Sequence, residues 1–274
     1  MDRTWIPEHI ALDKPNPARM YDYFLGGAHN FEVDRRAAER AIAIYPAFPL
    51  MMRVNRAFLR RAVRFLVAQG IDQFLDLGSG IPTVGNVHEI AQATNPAVRV
   101  LYADLDPIAV AHSAALLRDN PRAAVIQADI RQPETTLQRA REQDLLDFDR
   151  PIAILLAFVM HFVTEDDVAD RIIATLRSVM APGSFMVVSQ STGDGPSREK
   201  HTSLIRLYEN STSPVVSRHP AYVARWLAGL ELVEPGIVRT PLWRPESPQD
   251  LYVDHPERAS SCAAIAGVPA GAAV

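Results

Sequence analysis

Apolar positions along the chain fall into two regimes. From about residue 33 to Gly70 they recur at helical spacing; beyond Gly70, short continuous apolar runs alternate with amphipathic stretches. In LMMRVNRAFLRRAVRFLVAQG, Val54, Phe58, Ala62 and Phe65 form one stripe, and Arg53, Arg56, Arg60 and Arg64 take the other side. That pattern predicts a helix closed by Gly70. Another helix is predicted from about Val33 to Ile44, and Gly26-Gly27 interrupts the segment before it. With prolines at 7, 15 and 17, residues 1–18 read as an extended arm.

Past Gly70, QFLDLG (73–78), VRVLYADLD (98–106), AAVIQADI (123–130), PIAILLAFV (151–159) and GSFMVVSQ (183–190) read as strands. Helices are predicted between them, through VHEIAQAT, PIAVAHSAALLRD, TTLQRAREQDLL and TEDDVADRIIATLRSVM. The last carries Val168, Ile172, Leu176 and Val179 on one face, with Thr164 and Asp167 as a capping-box-like start. The strands are apolar throughout, as expected when helices cover both faces of a sheet. Strands alternating with helices predict an α/β chain with a parallel, doubly wound sheet. STGDGPS (191–197) reads as a loop, followed by helices around 199–210 and 219–229, then LELVEPGIV, and CAAIAGV (262–268) as a last strand. The expected division is an N-terminal arm and helical cap over 1–70 and a core over 71–274 with a helical insertion near 193–229.

Composition narrows the function classes. The chain has 274 residues, 48% hydrophobic and 22% charged, which suits one large domain or one domain with a cap. A net charge of −4 gives nucleic acid no bulk attraction. The lone Cys262 rules out a disulfide framework, and no apolar run is long enough for a membrane span. MDRTWIPEHIALDKPNP has no signal-peptide core, so a cytoplasmic protein is expected. The histidines show no metal-ligand spacing, and no metal is expected.

The chemistry is concentrated where strands end. FLDLGSGIPT (74–83) resembles a nucleotide-binding turn, but Thr83 stands where a dinucleotide fingerprint has its third glycine. Asp76 lies two residues before the first glycine, where a buried anion would repel a pyrophosphate and suit a ligand carrying positive charge. The competing reading is a turn-capping acid in an α/β domain without a ligand. At the second strand end, Asp106 precedes a proline that opens a helix and is most simply an N-cap. Asp104, 24 positions beyond Gly80, is then free to accept from ribose hydroxyls. The third strand ends in Asp129-Ile130, an acid for an adenine amine and an apolar residue for its ring.

With these residues, FLDLGSG, YADLDP, QADI and MAPGSFMVVS resemble the ordered motifs of class I S-adenosylmethionine-dependent methyltransferases over roughly residues 70–190. NPARMYDYFLGGAHNFEVDRRAAE, the 55–92 stretch and LWRPE are similar to a bacterial methyltransferase family long catalogued as a domain of unknown function. The resemblance implies a Rossmann-like sheet of seven strands, the last antiparallel, with an N-terminal helical cap. It also implies S-adenosyl-L-methionine as cofactor. Asp76, Gly78, Ser79 and Gly80 would line its methionine end, Asp104 the ribose, Asp129 and Ile130 the adenine, with Leu105 and Ala157 also among the cofactor-binding residues. The fourth strand end, Ala157-Phe158-Val159-Met160-His161-Phe162, departs from the Asn/Asp-Pro-Pro-Tyr pattern of enzymes that methylate nucleic-acid amino groups.

The expected acceptor is therefore a small molecule, in secondary metabolism, rather than a nucleic acid, and no membrane partner is expected. His161 is the candidate general base, with a packing histidine as the equal alternative. RMYDYFLGGAHN offers Arg19, Tyr21, Gly26, Gly27 and Asn30 as cap residues over cofactor or substrate. Tyr21 and Tyr23 cannot share one face of a helix, and Tyr21 and Asn30 are preferred. Asn86 and His88 are expected to shape the first turn of their helix. Arg198, Trp226 and Trp243 are read first as structural and second as acceptor-pocket residues. Two alternatives remain open: a cofactor-binding protein that does not transfer methyl, and a nicotinamide-dependent oxidoreductase, which Asp76 and Thr83 disfavour.

Overall fold

Asn16 opens the first helix. Its side-chain oxygen accepts from the N–H groups of Ala18 (2.9 Å) and Arg19 (3.3 Å), and Pro17 takes the first helical position, where no N–H is needed. The computed structural model describes residues 13–82, 85–195 and 197–271. Residues 1–12 of the expected arm, and Thr83, lie outside the described residues. The chain runs through α1 (Pro17–Phe24), α2 (Glu32–Ile44) and α3 (Phe48–Ala68) into an alternating series. That series is β1 (Gln73–Leu77), α4 (Val87–Thr94), β2 (Arg99–Asp104), α5 (Pro107–Leu116), β3 (Ala123–Gln127), α6 (Pro133–Glu142), β4 (Ala153–Ala157), α7 (Asp166–Arg177) and β5 (Phe185–Ser191). It continues with α8 (Arg198–Glu209), α9 (Pro220–Trp226), β6 (Glu231–Leu232), β7 (Val238–Arg239) and β8 (Ser261–Gly267).

The sheet has the order β3-β2-β1-β4-β5-β8-β6, with β7 also on β8. β1 to β5 pair in parallel, and β8 runs antiparallel to β5 from Phe185↔Gly267 to Ser191↔Ser261. The Rossmann-like architecture and antiparallel closing strand are as expected. Eight strands appear among the described residues rather than seven, because LELVEPGIV supplies two short strands that pair along the outer edge of β8. Strand order reverses between β1 and β4, which places a ligand crevice outside the carboxyl ends of these strands.

Side chains alternate across the sheet with period two. Leu75, Leu77, Leu101, Ile154, Leu156 and Val188 share one core cluster with Ile172 and Leu176 of α7. Phe74, Val100, Tyr102, Leu155 and Val187 belong to the opposite cluster with Phe58, Ala62 and Leu66 of α3. The same alternation puts Asp76 on the α3 side. The N-terminal helices form a third cluster that reaches Phe158 after β4 and Leu204 and Tyr208 of α8.

Local expectations are corrected in two places. Thr164 does not cap α7; the helix begins after Glu165, which makes no side-chain cap bond, and Asp166 is held by Arg218 (2.9 Å) and Tyr222 (2.9 Å). Nor does α3 keep all its arginines outside. Arg61 is buried and donates to the carbonyls of Trp243 (2.9 Å) and Thr240 (3.2 Å), and Arg56 turns toward the crevice.

Candidate active site

The crevice begins at the turn after β1. Gly78 has φ of +68°, and a Cβ there would overlap the side chain of Val159, so glycine lets the turns after β1 and β4 pass in contact. Gly78 N–H donates to the Ala103 carbonyl at 2.8 Å, tying the turn to β2. A Cβ on Gly80 would meet nothing within 4 Å: the turn has open space above it.

Asp104 organises this rim. Its carboxylate accepts from the Gly80 N–H (2.7 Å) and the Asp106 N–H (2.8 Å), one on each oxygen. Each oxygen retains capacity for one more donor. Asp106 is the N-cap of α5, as the sequence predicts, accepting from Ile108 N–H at 3.3 Å. Burial raises Asp104, against the backbone N–H groups that favour its anion. Asp76, buried and without a hydrogen bond to any described residue, is pushed by burial up to about 7, with Arg56 opposing and Asp104 reinforcing the shift. Ser79 Oγ is buried without a partner among the described residues. The rim thus presents acceptors short of donors and an anion short of a cation, which fits the ammonium, sulfonium and ribose hydroxyls of S-adenosylmethionine.

Leu105 (45% exposed) and Ile130 also line the crevice, with Asp129 beside them. Burial would raise Asp129, but its hydrogen bonds from Arg131 (2.8–3.1 Å) bring it below its ordinary value. Ala157 completes the rim at the end of β4.

The rim forms one end of a single cavity of about 370 Å³ that continues under the N-terminal helices. Arg19 and Tyr21 line it, but both are committed within the chain. Buried Arg19 pairs with Asp34 and Asp106, each at 3.6 Å. Tyr21 Oη donates to the Met52 carbonyl (3.1 Å) and accepts from Asn55 Nδ2 (3.2 Å), while Ser189 Oγ of β5 donates to Asn55 Oδ1 (2.7 Å). Gly26, Gly27 and Asn30 are not brought to the cavity wall. A Cβ on Gly27 would overlap the Asp22 carboxylate, and Asn30 Nδ2 donates to that same carboxylate (2.7 Å). These three residues shape the α1–α2 turn. Asn86 and His88 do shape the start of α4: Glu89 accepts from Asn86 N–H (2.9 Å), and Tyr102 Oη accepts from His88 N–H (2.9 Å). Trp243 packs against Phe58 and Phe65, Trp226 Nε1 donates to Asp170 (2.9 Å), and Arg198 is exposed; none of them lines the cavity.

His161 does line it. It sits in a turn, Met160–Phe162, stapled by Arg218 to the carbonyls of Met160 (2.9 Å) and Val163 (2.7 Å). Burial, with the nearby Arg218 guanidinium, pushes His161 down to about 3, so its imidazole is neutral at physiological pH. Phe158, at φ of +61°, turns the chain off β4 toward it. Wall residues that the sequence did not single out include Phe48, Met51, Met52, Leu204 and Tyr208, whose apolar spacing reads as ordinary helix core, and the polar Asn55.

A doubly wound sheet whose switch-point rim favours a cationic nucleoside over a pyrophosphate, under a helical cap, defines a class I methyltransferase. Residues 3–270 match the model of the S-adenosyl methyltransferase family, and the chain belongs to that family. It is an S-adenosylmethionine-dependent methyltransferase. A solved structure from Thermobifida fusca YX, described as a candidate methyltransferase, shares 40% identity over 97% of this chain and 99% of its own, with a TM-score of 0.88. A DUF574 family protein from Streptomyces avermitilis MA-4680 shares 35% identity over 94% and 98%, with a TM-score of 0.87. An O-methyltransferase family protein from Burkholderia thailandensis, at 12% identity over 92% of this chain and 64% of its own and a TM-score of 0.50, is a likeness of fold alone. No curated protein matches the chain. No helix among the described residues is long and apolar enough to cross a membrane, and no described cluster of His, Cys, Asp and Glu could hold a metal ion.

Proposed function

We propose that the chain methylates a small molecule held between its N-terminal helices and α8. The observation that carries this reading is the roofed cavity: from the rim it runs under α1 and the start of α3 and along α8, about 370 Å³ in all with the rim included. That is the size of a small-molecule site, not of a groove for a folded macromolecule. When bound, S-adenosylmethionine supplies an electrophilic methyl group on a sulfonium, whose leaving group is a neutral thioether.

The chain's residues bind, orient and exclude water. Asp76 and Ser79 hold the amino-acid end and the ionised Asp76 favours positive charge there. Asp104 uses its two remaining acceptor positions for the ribose hydroxyls. Leu105 and Ile130 flank the adenine, and Asp129 shares its carboxylate between Arg131 and the adenine amine. Gly78, Gly80 and Ala157 leave room for close approach. His161 faces the acceptor as a neutral hydrogen-bond acceptor. With a good leaving group, positioning in a dry cavity supplies much of the rate.

The test uses S-adenosylmethionine labelled in its methyl group, incubated with the protein and either a small-molecule cell extract or purified RNA, DNA and protein. Label is expected in the small-molecule fraction. Label recovered only in precipitated macromolecule would overturn the reading.

A further inference from the structure

The inner half of the cavity is walled by rings in continuous contact. Phe48 and Tyr208 lie 6.5 Å apart between centroids, Tyr208 and Phe162 6.5 Å, Phe162 and His161 4.3 Å, and His161 and Phe158 4.9 Å. All five line the cavity, as do Met51 and Met52 of α3. Edges and faces of aromatic rings favour a planar aromatic guest, and thioethers adapt to its outline.

Charge is arranged on the other side. The aspartates of the wall lie at or just past the carboxyl ends of β1, β2 and β3, at the cofactor rim. Its arginines are committed: Arg19 to Asp34 and Asp106, Arg56 to the Gly85 carbonyl (2.7 Å), Arg131 to Asp129. Among the described residues, α8 and the β4–α7 turn contribute no Asp, Glu, Lys or Arg to the wall. An ionised guest would lie there without a countercharge, at a high desolvation cost.

In this half, Tyr208 Oη and the His161 imidazole both lack a hydrogen bond to any described residue. His201 Nε2 is bonded to Ser217 Oγ (2.9 Å), which pairs with Ser191 Oγ (3.2 Å). The His161 imidazole has its Nδ1 closed off inside the wall, which leaves Nε2 as the ring nitrogen a guest can reach. A buried polar group left unsatisfied in a binding cavity calls for a ligand that completes it.

We propose that the methyl acceptor is an uncharged, planar aromatic molecule carrying a ring O–H or N–H, which lies against the Phe48–Tyr208–Phe162–Phe158 arc and donates its hydrogen bond to His161. This rests on the methyltransferase reading and names the substrate class of the same site. The O–H and N–H sources share one chemistry, and the probes separate them.

Binding is measured by isothermal titration on the full chain saturated with S-adenosylhomocysteine, using 1-naphthol, indole, 1-methoxynaphthalene and 1-naphthoate. At least one of 1-naphthol and indole is expected to bind, and the tighter of the two identifies the donor atom. 1-Methoxynaphthalene, which cannot donate, is expected to be roughly tenfold weaker than 1-naphthol, as is ionised 1-naphthoate. In H161F, which keeps a ring and removes both nitrogens, 1-naphthol falls to the level of 1-methoxynaphthalene while S-adenosylhomocysteine affinity is unchanged; H161N, which keeps an acceptor, recovers part of the loss. Naphthoate binding as tightly as naphthol, or naphthol binding H161F as tightly as the parent, overturns the proposal. If H161F does not fold, the ranking of probes on the parent protein decides. Failure of S-adenosylhomocysteine to bind would sink the cofactor reading, whereas its binding without any of the four probes sinks the acceptor class alone.

Discussion

Asp76 and His161 are buried groups driven in opposite senses, and their titrations separate cofactor binding from acceptor binding. Burial lifts Asp76 from 3.8 to about 7. Below that value the cofactor-free protein holds the carboxyl protonated, and a cationic ligand must expel the proton to bind. The Kd for S-adenosylmethionine is therefore expected to rise up to tenfold per pH unit below about pH 7 and to level off above it. D76N should flatten that profile and weaken binding at pH 8, read by isothermal titration. Stability runs the other way. A raised folded-state carboxyl costs the cofactor-free protein stability as pH climbs from about 4 to about 7, so D76N should melt higher than the parent at pH 8. His161, held near 3, stays neutral from pH 5 to 9. With both substrates saturating, kcat should show no imidazole inflection there; an inflection near 6.5 that disappears in H161F would refute the assignment.

At the scale of elements, the rim exists because two turns pass in contact. The turn after β1 can lie against the turn after β4 only with no side chain at Gly78 opposite Val159. G78A combines a positive φ with that overlap and is expected to cost about 2 kcal/mol or more of stability, with loss of cofactor affinity. Adding V159A should return part of the loss, since it removes the overlap and leaves the dihedral cost. A chemical-denaturation double-mutant cycle measures the coupling, and additive effects would place the strain elsewhere. The helices are tied to this rim by side chains rather than by backbone: Ser189 of β5, Asn55 of α3 and Tyr21 of α1 form one hydrogen-bonded chain across three elements.

For the molecule as a whole, the clasp between cap and core is ionic. Arg19 joins Asp34 at the start of α2 to Asp106, the cap of α5, in a region closed to solvent. Removing it leaves two buried carboxylates facing each other, so R19A should lower stability by about 3–5 kcal/mol. Cofactor affinity should fall with it, because Asp106 also donates the N–H that steadies Asp104. A drop in melting temperature without any change in affinity would show the clasp to be separate from the site.

The sheet, the rim acids Asp76 and Asp104, the Asp106 cap and the cofactor class were legible in the linear chain, because each depends on neighbours a few residues away: an apolar run, a glycine turn, a proline opening a helix. Arg56 was misplaced on the outer face of its helix, since a helical stripe shows which side is apolar and not that a polar side can close over a crevice. Gly27 was recognisable as special, but its partner is Asp22 rather than a ligand. Phe48, Met51, Met52 and Tyr208 read as core because apolar spacing is the same whether side chains fill a space or line one. The sequence by itself determined the alternating sheet and an anionic rim for a cationic nucleoside, both products of local periodicity and local charge. Only the tertiary structure decided that rings from α3, α8 and the β4–α7 turn leave a cavity between them, because a void is defined by the packing of segments far apart in the chain.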